Sequence, residues 1–170
     1  LQDDGRRMFY LPAANYTEGN LSAVREMLGH PDTVMALADG GAHYGLICDS
    51  SFPTYFLQRW ARDAAEHERI ELPKAIAELT SKTAATVGLT DRGLLAPGMK
   101  ADINVIDFDR LQLRVPEIVY DLPAGGKRML QKVDGIVATI VNGRITYRNG
   151  EHTGELPGRL VRRSAMQLAA

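Results

Sequence analysis

Three residues with reactive side chains fall close together in the sequence: Asp39, His43 and Cys48. Asp39 ends the apolar run Thr33-Val34-Met35-Ala36-Leu37-Ala38 and precedes Gly40-Gly41. A carboxylate at the end of a buried strand, next to glycines that permit unusual dihedrals and close ligand approach, can bind a metal or take a proton from metal-bound water. By local chemistry alone, Asp before Gly-Gly is more often a turn than a base. His43 can contact a substrate or support Asp39, or it can be a local hydrogen-bonding residue. Cys48 has no histidine partner fixed by the sequence and reads as a small buried apolar residue rather than a nucleophile.

The other three of the four histidines do not complete a metal site. His30 sits in a turn, His67 in a charged helix end and His152 in the C-terminal loops, and none has ligand spacing. With Cys48 the single cysteine, an intrachain disulfide and a thiolate cluster are both excluded.

The elements that must position these residues follow from periodicity. Asn20 predicts a cap for a helix over Leu21 to Leu28, with Leu21, Val24 and Leu28 on one face and Gly29 as a left-handed stop. His30-Pro31-Asp32 is a turn, and Thr33 to Ala38 predicts a buried parallel strand. Ser50 or Ser51 can cap a helix with Pro53 in its first turn and a stripe of Phe52, Tyr55, Phe56 and Trp60 facing the core. Leu72, Ile76 and Leu79 predict another short helix, and Thr80 opens one that ends near Gly88.

From Gly93 onward the composition favours strands and tight turns. Strands are expected over Ala101 to Asp107, Gly135 to Val141 and Arg144 to Tyr147, with hairpin signals at Asn142-Gly143 and Asn149-Gly150. A short helix near Ser164 to Leu168 completes the reading. The boundary between helical and strand-rich parts falls at residues 85 to 95.

Composition narrows the function classes. Apolar residues are 45% and charged residues 24%, which is ordinary for a domain with a packed core and argues against disorder. The net charge is −1, with basic residues scattered outside Arg159 to Arg163, so nucleic acid is not an expected partner. No apolar run is long enough to span a bilayer, and the first residues carry no signal-peptide core, so a cytoplasmic location without membrane partners is expected.

A longer match adds to this reading. Asp39-Gly40-Gly41-Ala42-His43-Tyr44-Gly45, then Ile47-Cys48-Asp49, Phe52-Pro53-Thr54-Tyr55 and Trp60, is similar to the last barrel strand and following loop of N-acyl-D-amino-acid deacylases in the metal-dependent amidohydrolase superfamily. Gly93-Leu94-Leu95-Ala96-Pro97-Gly98-Met99-Lys100-Ala101-Asp102 and Val105-Ile106-Asp107 resemble the superfamily's return into its small β-domain. Asp121-Leu122-Pro123-Ala124-Gly125-Gly126 and the strand pair through Val141-Asn142-Gly143 continue the pattern, so the resemblance covers nearly the whole chain.

The resemblance implies an α/β fold: the C-terminal part of a TIM-like (β/α)8 barrel over residues 1–88, and a small β-sandwich with a tail over 89–170. It implies one or two zinc ions in the full-length enzyme, not tightly bound by this chain alone, and a small-molecule N-acyl amino acid as substrate. Asp39 matches the family's catalytic aspartate, with metal ligation as a further role, and His43 is the candidate substrate contact. The family's His-Xaa-His after its first strand is absent, as are its later barrel histidines and bridging side chain. The chain therefore reads as the final portion of a longer enzyme, inactive in isolation and prone to self-association through exposed barrel surface. Two alternatives stay open: a hydantoinase-like or dihydroorotase-like cyclic amide hydrolase, and a noncatalytic assembly module.

Overall fold

A proline fixes the first structural boundary. Pro31 excludes the helical conformation from the residue before it, and His30 is extended, at φ −72° and ψ 135°. In the computed structural model, which describes residues 14–16, 18–36 and 42–161, helix α1 (Ser22–Gly29) ends there. The chain separates into two units, Leu1–Thr33 and Val34–Ala170.

In the first unit, the Asn20 Oδ1 accepts the Ser22 N–H at 2.9 Å, and Leu21, Val24 and Leu28 are the half-buried face. The left-handed stop expected at Gly29 is not used, because its φ is not positive. Instead the Thr33 hydroxyl folds back and donates to the carbonyls of Met27 and His30 at 2.7 and 2.9 Å.

The strand expected over Thr33 to Ala38 is a correction for the residues that can be described. Residues 33–36 form no strand, and Val34 is 37% exposed. A central parallel strand needs neighbours to take up its backbone hydrogen bonds, and among the described residues it has none. Leu37, Ala38, Asp39 and both following glycines lie outside the described residues, as does the helix expected at Ser164 to Leu168.

The second unit has a helical layer whose core is the expected aromatic stripe. A single 3-10 turn (Asp49–Ser51) leads into α2 (Phe52–Phe56), which runs on as a π-helix (Leu57–Asp63). Phe56, Leu57, Trp60 and Ala61 are buried, while Tyr55 is exposed. Ser51 caps nothing, since its hydroxyl donates to the Cys48 carbonyl at 2.8 Å. In α3 (Leu72–Leu79) the small Ala75 is fully enclosed and Ile76 is on the outside, so the expected Leu72-Ile76-Leu79 face is not the packed one. Thr80, at φ −128° and ψ −84°, breaks the chain before α4 (Ser81–Thr86).

Strands follow from Ile103, and every strand pair among the described residues is antiparallel. Strands β1 (Ile103–Ile106), β6 (Ile136–Val141), β7 (Arg144–Arg148) and β8 (Glu151–His152) form one sheet in the order β1-β6-β7-β8. Two small sheets pair β2 (Gln112–Leu113) with β5 (Val133–Asp134) and β3 (Glu117–Leu122) with β4 (Gly126–Leu130). Both Asn-Gly dipeptides are two-residue hairpin turns with both residues at positive φ: 50° and 77° for Asn142-Gly143, 50° and 84° for Asn149-Gly150. Arg62 ties the helical layer to this region by donating from Nη1 to the carbonyls of Phe108, Asp109 and Leu111 at 3.0, 3.2 and 2.6 Å. Gln58 Oε1 accepts the Leu113 N–H at 3.0 Å beside it, and Leu111 is fully buried. The described chain is thus a mixed α/β arrangement with antiparallel sheets. No helix among the described residues is long and apolar enough to cross a membrane.

Candidate functional site

The described part of the candidate site begins at Ala42, just after the Asp39-Gly40-Gly41 stretch. His43 turns the chain in the left-handed region at φ 49°, and its carbonyl accepts the N–H groups of Leu46 and Ile47 at 2.7 and 3.1 Å. A non-glycine residue there costs on the order of 1 kcal/mol, less readily tolerated by bulky or β-branched residues than by His. The loop is fastened to β4 where Met129 N–H donates to the Tyr44 carbonyl at 2.6 Å. Beyond Cys48 the 3-10 turn hands the chain to α2.

Between this loop and the strands lies a cavity of about 300 Å³, with Tyr44, Ile47, Cys48, Thr54, Arg128 and Met129 among its lining residues. Its cation is already committed: Arg128 donates from Nε and Nη2 to both carboxylate oxygens of Asp121 at 2.7 Å each. That hydrogen-bonded guanidinium holds the Asp121 carboxyl below the usual carboxylate range. Burial, reinforced by the nearby Asp49 charge, pushes the Cys48 thiol up. A raised thiol has less thiolate at neutral pH, which agrees with reading Cys48 as a packing residue.

His43 itself is exposed and is not among the residues lining this cavity. Asp39 lies outside the described residues, so the two candidates are not brought together by any measured distance. The other histidines are dispersed: Nδ1 of His30 accepts the Asp32 N–H at 3.2 Å, His67 is exposed, and Nδ1 of His152 accepts the Gly154 N–H at 3.1 Å. Among the described residues, no group of three or more His, Cys, Asp or Glu side chains could hold a metal ion. Two polar features went unread in the sequence, the Arg62 clasp and the Arg128–Asp121 pair. Each depends on a partner distant in the chain or on strand register, and residue type alone signals neither.

Comparison with known proteins adds the family. Residues 6–147 match the model of the Amidohydrolase family. The chain is 34% identical over 112 residues to the N-acyl-D-glutamate deacylase of Alcaligenes xylosoxydans xylosoxydans, covering 66% of this chain and 20% of that protein. It is 38% identical over 97 residues to the N-acyl-D-aspartate deacylase of the same organism, covering 56% and 18%. It is 29% identical over 115 residues to the dihydroorotase of Lactobacillus johnsonii (strain CNCM I-12250 / La1 / NCC 533), covering 65% and 25%. No solved structure matches the chain. It spans about a fifth to a quarter of the length of these curated relatives. With residues 6–147 matched, which is most of its length, the chain belongs to the amidohydrolase family.

Proposed function

We infer that this chain is the C-terminal portion of a metal-dependent amidohydrolase that cleaves the amide bond of N-acyl-D-amino acids. The observation that carries this is the Asp39-Gly40-Gly41-Ala42-His43 stretch within a chain 34% and 38% identical to two such deacylases. Asp39 is the proton-handling group: its carboxylate accepts a proton from the attacking water and returns it to the leaving amine nitrogen, so that nitrogen departs as a neutral amine. His43 is the candidate contact for the substrate. Residues 1–88 would belong to a (β/α)8 barrel and 89–170 to a small β-sandwich.

A zinc site fits the family but not the described residues, which hold no donor cluster. Asp39 is the one candidate ligand on this chain. Such a protein is a hydrolase of carbon–nitrogen bonds other than peptide bonds.

The dihydroorotase matches, at 29% and 31% identity, favour a second reading in which the substrate is a cyclic amide. Steady-state assays of the full-length gene product against N-acetyl-D-glutamate, N-acetyl-D-aspartate and a panel of cyclic amides separate the two. Turnover of the acyclic substrates is expected. Turnover confined to the cyclic amides would replace the first reading with the second. Absence of turnover on either class, with the metal restored, would leave an assembly role as the better account.

A further inference from the structure

Two Asn-Gly dipeptides stand in the same kind of hairpin turn, yet their surroundings differ at the atoms that matter for self-modification. An asparagine before glycine can be attacked by the next residue's backbone nitrogen, because glycine places no side chain in the way. At Asn142-Gly143 that nitrogen is engaged: Gly143 N–H donates to the Ala101 carbonyl at 2.9 Å. The Asn142 N–H also donates to Asp102 Oδ1 at 2.8 Å. This turn joins β6 to β7, whose register runs from Val141↔Arg144 to Ala138↔Arg148.

At Asn149-Gly150 the arrangement is open. Asn149 N–H donates to the Val137 carbonyl at 2.9 Å, but among the described residues Gly150 N–H meets no acceptor. A methyl group built on Gly150 would find nothing within 4 Å. The turn is followed by the edge strand β8, held to β7 by two residue pairs, Tyr147↔His152 and Arg148↔Glu151. Reaching the attack geometry requires the left-handed turn to open locally, and the cost of such opening falls with the number of hydrogen bonds that must break.

We propose that Asn149 is a self-modification site, converting to isoaspartate at the Asn149–Gly150 bond, while Asn142 is protected by its anchors. The Gly150 nitrogen bonds to the Asn149 side-chain carbonyl carbon, and the side-chain amide leaves as ammonia, taking the proton from the attacking nitrogen. Water then opens the resulting cyclic imide at either carbonyl, giving isoaspartate or aspartate, with no oxidant or reductant involved. Isoaspartate routes the main chain through the former side chain, lengthening it by one carbon and adding a negative charge beside Glu151. A two-residue turn does not accommodate that extra atom, so the Arg148↔Glu151 pair next to the turn is displaced.

Peptide mapping of the intact chain, incubated in mildly alkaline buffer and sampled over days, tests this. The one additional anchor at Asn142-Gly143, on the attacking nitrogen itself, leads us to expect isoaspartate to accumulate roughly tenfold faster at position 149 than at 142. In concentrated urea the two rates should converge, because both anchors are gone. Asp102→Ala, which frees the Asn142 N–H, should raise the rate at 142. Equal or reversed rates in the folded chain, or a preference that survives unfolding unchanged, would overturn the proposal.

Discussion

Asparagine at position 39 would keep the shape of the aspartate and suit the same turns, but it cannot accept a proton. Asp39→Asn in the full-length protein is therefore expected to lower turnover on N-acyl-D-amino acids by on the order of a hundred- to ten-thousand-fold, with metal content and melting temperature little changed. Steady-state rates measured alongside both controls decide it, and near-normal turnover would return Asp39 to a turn role. Arg62 offers a contrasting residue, since its function is in the fold rather than in the chemistry. Three carbonyls converge on its Nη1, and Asp63 binds the other side of the guanidinium at 2.7 Å, so Arg62→Met strips a charged donor from acceptors between the helical layer and Leu111. Urea unfolding should show a loss of about 2 kcal/mol, an amount reduced by partial solvent access. No change in midpoint would mean that water replaces the guanidinium without cost. Asp39 is singled out by the resemblance of the Asp39-Gly40-Gly41-Ala42-His43 stretch, since its local pattern alone reads more often as a turn. Arg62 could not be singled out from sequence, because its acceptors lie more than forty residues away.

Elements defined by local rules were legible, and those defined by distant partners were not. The two Asn-Gly turns were readable because a two-residue hairpin needs positive φ at both positions, and few residue types supply it. The helix expected over Leu21 to Leu28 runs Ser22–Gly29, but it stops at an extended His30 before Pro31 rather than at a left-handed Gly29. The π-helical turn after Phe56 had no sequence signal, nor did the pairing of Gln112–Leu113 with Val133–Asp134. Ala75 rather than Ile76 faces inward, because space between packed elements, not hydrophobicity alone, decides which side chain fits. Glycines test the same point. Gly135 has φ +91°, and an added methyl would lie 2.7 Å from the backbone of Leu111, whereas Gly150 has φ +84° with open space around it. Both substitutions to alanine carry left-handed strain, but only the first must also displace backbone. Thermal and urea unfolding should show Gly135→Ala destabilising by about 3 kcal/mol and Gly150→Ala by about 1 kcal/mol. Equal losses would mean that the Leu111 backbone yields freely.

At the scale of the whole molecule, the distribution of apolar side chains is the informative feature. Among the described residues the large buried ones are Phe56, Leu57, Trp60, Ile70 and Leu111, whereas nineteen large apolar residues are exposed. Leu95 is 86% exposed and Val115 is 83% exposed, and Tyr120 projects from the small β3–β4 sheet at 71%. A domain with a complete core rarely leaves so much apolar surface in water, and short sheets with open edges offer backbone groups to another chain. If the chain is a portion of a larger amidohydrolase, barrel strands and helices from the rest of that protein would cover this surface. Alone, it is expected to cover the surface with further copies of itself. Light scattering across the micromolar range should then show apparent mass rising with concentration, and addition of a mild detergent should reverse the rise by occupying the apolar surface. The dependence on concentration matters, because irreversible aggregation of misfolded chain would not follow mass action on dilution. A monomer of constant mass throughout that range would show that the exposed residues need no partner to cover them.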